Sequence, residues 1–258
     1  MKAEQRKDVL DESGCRNSGR GRGGLLVLDT STDWAAVGLL TPEGSVHELG
    51  DLPIWRHGRD LLPSIRDLLR EAGWSLGQLD AVAVGLGPGS FTGLRIGVTT
   101  AKLLAYLTGA ELIGLDSLEG IAQNAPAHIL RIHVVADAQR KAVYAAEFAR
   151  SAAGSNLLRV QESRVESLEV WSSRLAQGGG AMVLGPGLES EAIRACIPSG
   201  LEFGPRELNR PDAARLIQMA RRYQEEGNRA DLWSLAPRYL LRSAAEEQWH
   251  ARAGPQSS

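Results

Sequence analysis

Cysteine is nearly missing from this chain: Cys15 and Cys196 are the only two in 258 residues, far apart and in no ligand spacing. That excludes a disulfide framework and a zinc knuckle, and it fits a reducing, cytoplasmic setting. Charge of one sign is missing too. The formal net charge of −2 gives no global basic field for gripping nucleic acid. No apolar run approaches the ~20 residues of a membrane span. No heptad array or internal repeat is present. Residues 1–24 lack the apolar centre of a signal peptide and read as a disordered leader or an over-extended start. Residues 250–258 read as a loose tail. What remains is ordinary globular composition, 43% hydrophobic and 23% charged, at a length that suits two domains of roughly 100–150 residues each.

Glycine is plentiful and concentrated. GLGPGSFTGLRIGVTTAKLLAY, from Gly85 to Tyr106, packs five glycines and one proline into its first thirteen residues. It follows an apolar strand and opens a helix. Such a junction needs positive φ, or close approach by another backbone or an anion. No Lys-Ser/Thr pair follows, so it is not a P-loop. Glu111 is the only acidic residue near the spacing that a dinucleotide fingerprint needs. Ser90 is not in a nucleophile elbow, because Pro88 and Thr92 stand where that motif has glycine. The plain alternative is a tight turn that lets a helix pack close to a sheet.

Patterning predicts strands over 25–28, 35–40 and 45–49, joined by Asp29-Thr30-Ser31-Thr32 and by a Thr-Pro-Glu-Gly turn. A helix is predicted over 57–72, with Leu61, Leu62, Ile65, Leu68 and Leu69 on one face, and Gly73 stops it. A strand over 81–84, a helix over 92–108 closed by Gly109, and a strand over 112–115 complete a β-β-β-α-β-α-β order. Beyond Asp116, Ser117 is the expected cap of a helix over 118–124. Strands over 131–136 and 142–148 form a hairpin around Asp137. A helix over 168–176, a strand over 181–184, and helices over 188–196 and 212–226 follow.

With these segments placed, the chain resembles the TsaB (YeaZ) family of bacterial tRNA threonylcarbamoyladenosine biosynthesis proteins, from about Leu25 to about Trp249. Four blocks carry the resemblance: LLVLDTSTDWAAVGLL, HGRDLLPSI, GLGPGSFTGLRIG, and VVADAQRKAVYAAEF paired with PRYLLR. It implies an α/β, actin-like ATPase superfamily fold of two lobes, each on a β-β-β-α-β-α core. The first lobe would span 25–115, with 228–245 packing back on it, and the second 116–227. It implies no catalysis by the chain itself. The chain would pair with TsaD, which transfers the threonylcarbamoyl group to adenosine 37 of tRNA, through the helices of its first lobe. TsaE would join with ATP, and tRNA would meet the chain only through the complex. No cofactor would be intrinsic, with ATP or ADP at the interface of the assembled complex. A homodimer of the isolated chain is left open. The chain departs from the family at His57-Gly58-Arg59, usually His-Ser-Glu. It departs again at Gln139, Arg140 and Ala142 of the hairpin.

Two groups of residues are candidates for function. Asp29, Thr30, Ser31 and Thr32 sit where actin-like ATPases place a phosphate turn, with Gly87, Gly89 and Ser90 facing them as a weak anion contact. Ser31 replaces the glycine that would let a backbone approach phosphate, which favours an Asx or ST turn that satisfies its own backbone. The second group is a partner interface. Gly93, Gly97, Ala101 and Ala105 recur every four residues as a smooth stripe that admits another helix. Leu61 and Leu68, near His57 and Trp55, would extend it, while Ile96, Leu103, Leu104 and Leu107 would face the chain's own sheet. No His-x-x-x-His pair exists to hold a metal, and His128 and His133 do not converge. Two rival readings are an ATP-dependent small-molecule kinase on the same fold, using Asp137, and a metallopeptidase.

Overall fold

The computed structural model describes residues 23–50, 52–151, 157–176 and 181–241, with the side chains of Ile54, Trp55 and His57 outside that set. The expected leader up to residue 22, the tail, and residues 242–249 lie outside the described residues.

β1 (Gly24–Asp29) is buried along its whole length because it is central. Antiparallel β2 (Trp34–Leu40) lies on one side and parallel β5 (Leu79–Gly85) on the other. That position suits its unbroken apolar sequence. Outside β2 lie β3 (Val46–Glu48) and the two-residue β4 (Leu52–Pro53), and outside β5 lies β6 (Glu111–Leu115). α1 (Ile54–Glu71) starts three residues earlier than expected and ends before Gly73, whose φ of 71° is left-handed. α2 (Phe91–Thr108) is capped by Ser90 and closed by Gly109.

α3 (Ser117–Ala122) is short, and its cap is Asp116 rather than Ser117: Asp116 Oδ1 accepts the Glu119 N–H at 3.0 Å. β7 (Arg131–Asp137) and β8 (Ala142–Arg150) form the expected hairpin. β9 (Leu157–Ser167) pairs with β8 and has no counterpart among the expected strands. α4 (Leu168–Leu175), β10 (Ala181–Leu184), α5 (Glu191–Ala195), β11 (Glu202–Phe203) and α6 (Ala213–Glu225) follow. The first sheet runs β3-β2-β1-β5-β6 and the second β9-β8-β7-β10-β11. Each has an antiparallel meander continued by two parallel strands. This repeated path is the two-lobed α/β layout that the resemblance implies.

One boundary is corrected. The expected second lobe, 116–227, included α6, yet Leu216, Ile217, Met219 and Ala220 pack on Leu25, Val27, Ala83 and Ile113 of the first sheet. α1 and α2 cover only the other face of that sheet, so without α6 this apolar face would stand in water. α3, in exchange, packs Leu118, Ile121 and Ala122 on the second sheet. After α6 the chain returns along the first lobe: the Ala230 N–H donates to Leu112 O and the Arg238 N–H to Leu86 O, each at 2.8 Å.

Candidate functional site

An open cleft of about 1120 Å³ separates the lobes. Ser31, Thr32 and Ser90 line it from one side, and Asp137, Arg140 and Tyr144 from the other. The turn after β1 stands at its floor. Asp29 is fully buried: Oδ1 accepts the Ser31 N–H at 2.7 Å, and Oδ2 accepts the Ser117 hydroxyl at 2.6 Å. Burial raises its pKa above the usual carboxylate value, opposed by these hydrogen bonds. Thr30 is also fully buried, and its hydroxyl donates to Gly93 O at 2.7 Å.

The glycine loop is bonded to the same turn. The Gly87 N–H donates to Ser117 Oγ at 3.0 Å, the Ser90 N–H to Ser31 O at 2.8 Å, and the Gly93 N–H to Ser90 Oγ at 3.2 Å. This narrows the expected anion contact to part of its group. Asp29, Thr30 and Gly87 do not line the cleft, and the N–H groups of Gly87, Ser90 and Gly93 are already committed. Of that group only Ser31, Thr32, Gly89 and Ser90 reach the cleft wall.

The small-residue stripe is corrected as well. A β-carbon on Gly93 would stand 2.0 Å from Thr30 O, and one on Gly97 would stand 2.2 Å from Thr30 Oγ1. The stripe therefore makes room for the chain's own turn. Ala101 and Ala105 are buried in the first-lobe core, together with Leu61 and Leu68 of α1. None of these residues is free to meet a partner, and the side chain of His57 is not described. The stripe expected to face the sheet divides: Leu104 is buried and Ile96 half-buried. Leu103, Tyr106 and Leu107 are exposed, at 44%, 64% and 58%, with Leu62 of α1 at 42%. Among the described residues, the outward face of α2 is thus an exposed apolar one, with Trp233 edge-on to Tyr106.

A family model described as TsaD, tRNA N6-adenosine threonylcarbamoyltransferase, matches residues 54–249. The tRNA threonylcarbamoyladenosine biosynthesis protein TsaB of Escherichia coli is 31% identical over 225 residues, which span 86% of this chain and 96% of that one. The chain belongs to the TsaB family. The Bacillus subtilis TsaB is 27% identical over 87% of this chain and 97% of its own. The solved structure of YeaZ from Pseudomonas aeruginosa superposes with a TM-score of 0.72 at 27% identity, covering 84% of this chain and all of that one.

This TsaB-family chain carries a polar cluster at the joint between the lobes, of which the sequence motifs marked only Arg238, within PRYLLR. Asp116 Oδ2 accepts Arg238 Nη1 at 2.6 Å, and both Arg159 Nη1 and the Ser163 hydroxyl at 3.2 Å. Glu119 accepts Arg159 Nη2 at 2.9 Å and the Tyr223 hydroxyl at 3.1 Å, and it also bonds Arg222. Among the described residues no group of three or more His, Cys, Asp or Glu is gathered to hold a metal.

His133 has a structural consequence. It is buried on β7, with Nδ1 3.9 Å from Glu147 Oε2 and neither ring nitrogen hydrogen-bonded. Burial pushes its pKa down to about 4, and the charges of Arg174 and Arg131 add to the shift. The folded value lies below the unfolded one, near 6.5, so the unfolded chain takes the proton first as pH falls. Stability from this group is complete above pH 6.5, and about 3 kcal/mol of it is lost by pH 4. His133→Leu is expected to flatten that acid limb in urea titrations at successive pH values. Parallel losses in variant and wild type would exclude His133 as the cause.

Proposed function

We propose that this chain is a non-catalytic scaffold subunit in the synthesis of N6-threonylcarbamoyladenosine at adenosine 37 of tRNA. It pairs with TsaD through the outward face of α2 and α1, TsaE joins the pair, and tRNA meets the chain only within the assembly. ATP or ADP binds at the interface of that assembly rather than in this chain's own cleft. The observation that carries the reading is the exposed apolar face of Leu62, Leu103, Tyr106 and Leu107 on two adjacent helices, with Trp233 edge-on to Tyr106. Exposed apolar patches on soluble chains mark docking surfaces. The N–H groups of Gly87, Ser90, Ser31 and Gly93 are committed within the protein, which supports the absence of nucleotide turnover and weighs against the kinase reading.

Co-purification with TsaD from the same organism tests the proposal. The double variant Leu103→Asp, Leu107→Asp is expected to lose at least about 100-fold in affinity, because each buried leucine contributes about 1.5–3 kcal/mol. Its melting curve should match the wild type, since both side chains are exposed. Undiminished pairing removes the surface from the proposal. Failure of the wild-type chain to co-purify removes the subunit role, as does multiple-turnover ATP hydrolysis by the chain alone that survives further purification.

A further inference from the structure

The segment after α6 has neither helix nor strand from residue 228 to 241. Besides its backbone bonds to Leu112 and Leu86 and the Arg229–Glu111 ion pair, its side chains reach three places. On α2, Lys102 Nζ donates to the carbonyls of Trp233 and Leu235, each at 3.1 Å, and Trp233 stands edge-on to Tyr106 at 6.1 Å. At the joint between the lobes, Arg238 reaches Asp116 Oδ2. At the mouth of the cleft, Tyr239 packs on Phe91 at 5.0 Å, and its hydroxyl accepts Arg95 Nε at 3.1 Å.

Asp116 is where this segment meets the second lobe. The oxygen that accepts Arg238 also takes Arg159 and Ser163, both on β9. One buried carboxylate oxygen therefore joins the end of β6, the second sheet and the C-terminal segment. We propose that this segment is a latch: Arg238 pins the joint, and the angle between the lobes is freed when the segment lifts from α2.

The balance of contacts supports a latch rather than a permanent strut. The Arg238 side chain is 43% exposed, whereas Arg159 is 19% exposed. Trp233, the segment's largest side chain, is 77% exposed. Ala230, Leu232 and Leu235 pack on the first-lobe core, but beyond Leu235 the segment is held by polar contacts and one ring contact, and such a stretch opens at lower free energy than the sheets it joins. One end touches the outward face of α2 and the other the cleft, so a change at either is felt at the joint.

Paired spin labels test it, one at Ser45 in the first lobe and one at Glu202 in the second, in the full chain carrying Cys15→Ser and Cys196→Ser. The latched chain is expected to show one narrow distance. Arg238→Met should broaden or split that distribution, and Arg238→Lys, which keeps the charge, should restore much of the narrowness. Lys102→Met, which loosens the far end, should broaden it in the same way and covers the case in which Arg238→Met fails to fold. Narrow, unshifted distances in Lys102→Met and in a folded Arg238→Met would overturn the latch. So would broadening that Arg238→Lys does not reverse at all, because the ion pair would then not be what holds the joint.

Discussion

Gly97→Leu is expected to unfold or severely destabilise the chain, not to weaken one docking surface. A β-carbon at this position would stand 2.2 Å from Thr30 Oγ1, well inside van der Waals contact. Thr30 cannot retreat. It is fully buried, its hydroxyl is bonded to Gly93 O, and Asp29 and Ser31 on either side are tied to each other and to Ser117. Overpacking of a full core costs about 1–3 kcal/mol and sometimes more. Displacing Thr30 also breaks a buried hydrogen bond, worth a further ~1–3 kcal/mol. The sum, about 2–6 kcal/mol, is a large part of an ordinary domain's stability of about 5–15 kcal/mol. Gly93→Ala should behave alike, because the obstacle there is the backbone oxygen of Thr30, 2.0 Å away. Circular dichroism melts of Gly97→Leu beside Leu107→Ala, an exposed control, measure the effect. A Gly97→Leu chain that melts like wild type but no longer pairs with TsaD would restore the stripe to the interface.

The inward turn of that stripe shows where sequence reading stops. Periodicity finds both faces of α2, one small and one large, and by itself favours burying the large one. The deciding group is Thr30, 63 residues before its acceptor Gly93, which occupies the space a larger side chain would need. β1, β5 and the first hairpin of the second lobe were legible because central strands leave no polar trace. β9 was not, because it is an edge strand: its sequence LLRVQESRVES alternates charge, and its partly buried Arg159 and Ser163 serve Asp116 instead of an apolar core. The amphipathic face of α6 was visible, but no local pattern says which of two sheets a helix will cover. The glycine loop stands out in the sequence by composition alone. Its purpose, closing on the Asp29 turn, depended on long-range contacts.

Glu119→Ala is the second substitution expected to cost several kcal/mol, and it acts through charge instead of volume. Its carboxylate is 8% exposed and serves three groups: Arg159 on β9, and Arg222 and Tyr223 on α6. Arg159 would keep Asp116 at 3.2 Å, but Arg222 would keep only Glu226 at 3.8 Å. Breaking a buried ion pair from one side costs about 3–5 kcal/mol, since the remaining charge is left uncompensated. The partial exposure of Arg222, 32%, places this case near the lower end. Glu119→Gln, which keeps acceptor and donor atoms but no charge, should cost clearly less. A second readout separates this from loss of packing. The Tyr223 hydroxyl is pushed up to about 12, first by burial and then by the Glu119 charge beside it. In Glu119→Gln it should titrate at lower pH than in wild type, yet still above the ordinary value near 10, because burial remains. A folded Glu119→Gln in which Tyr223 titrates as before would show that the carboxylate exerts no field there. Wild-type stability in Glu119→Ala would show that α3, α6 and β9 are held together by apolar contacts alone.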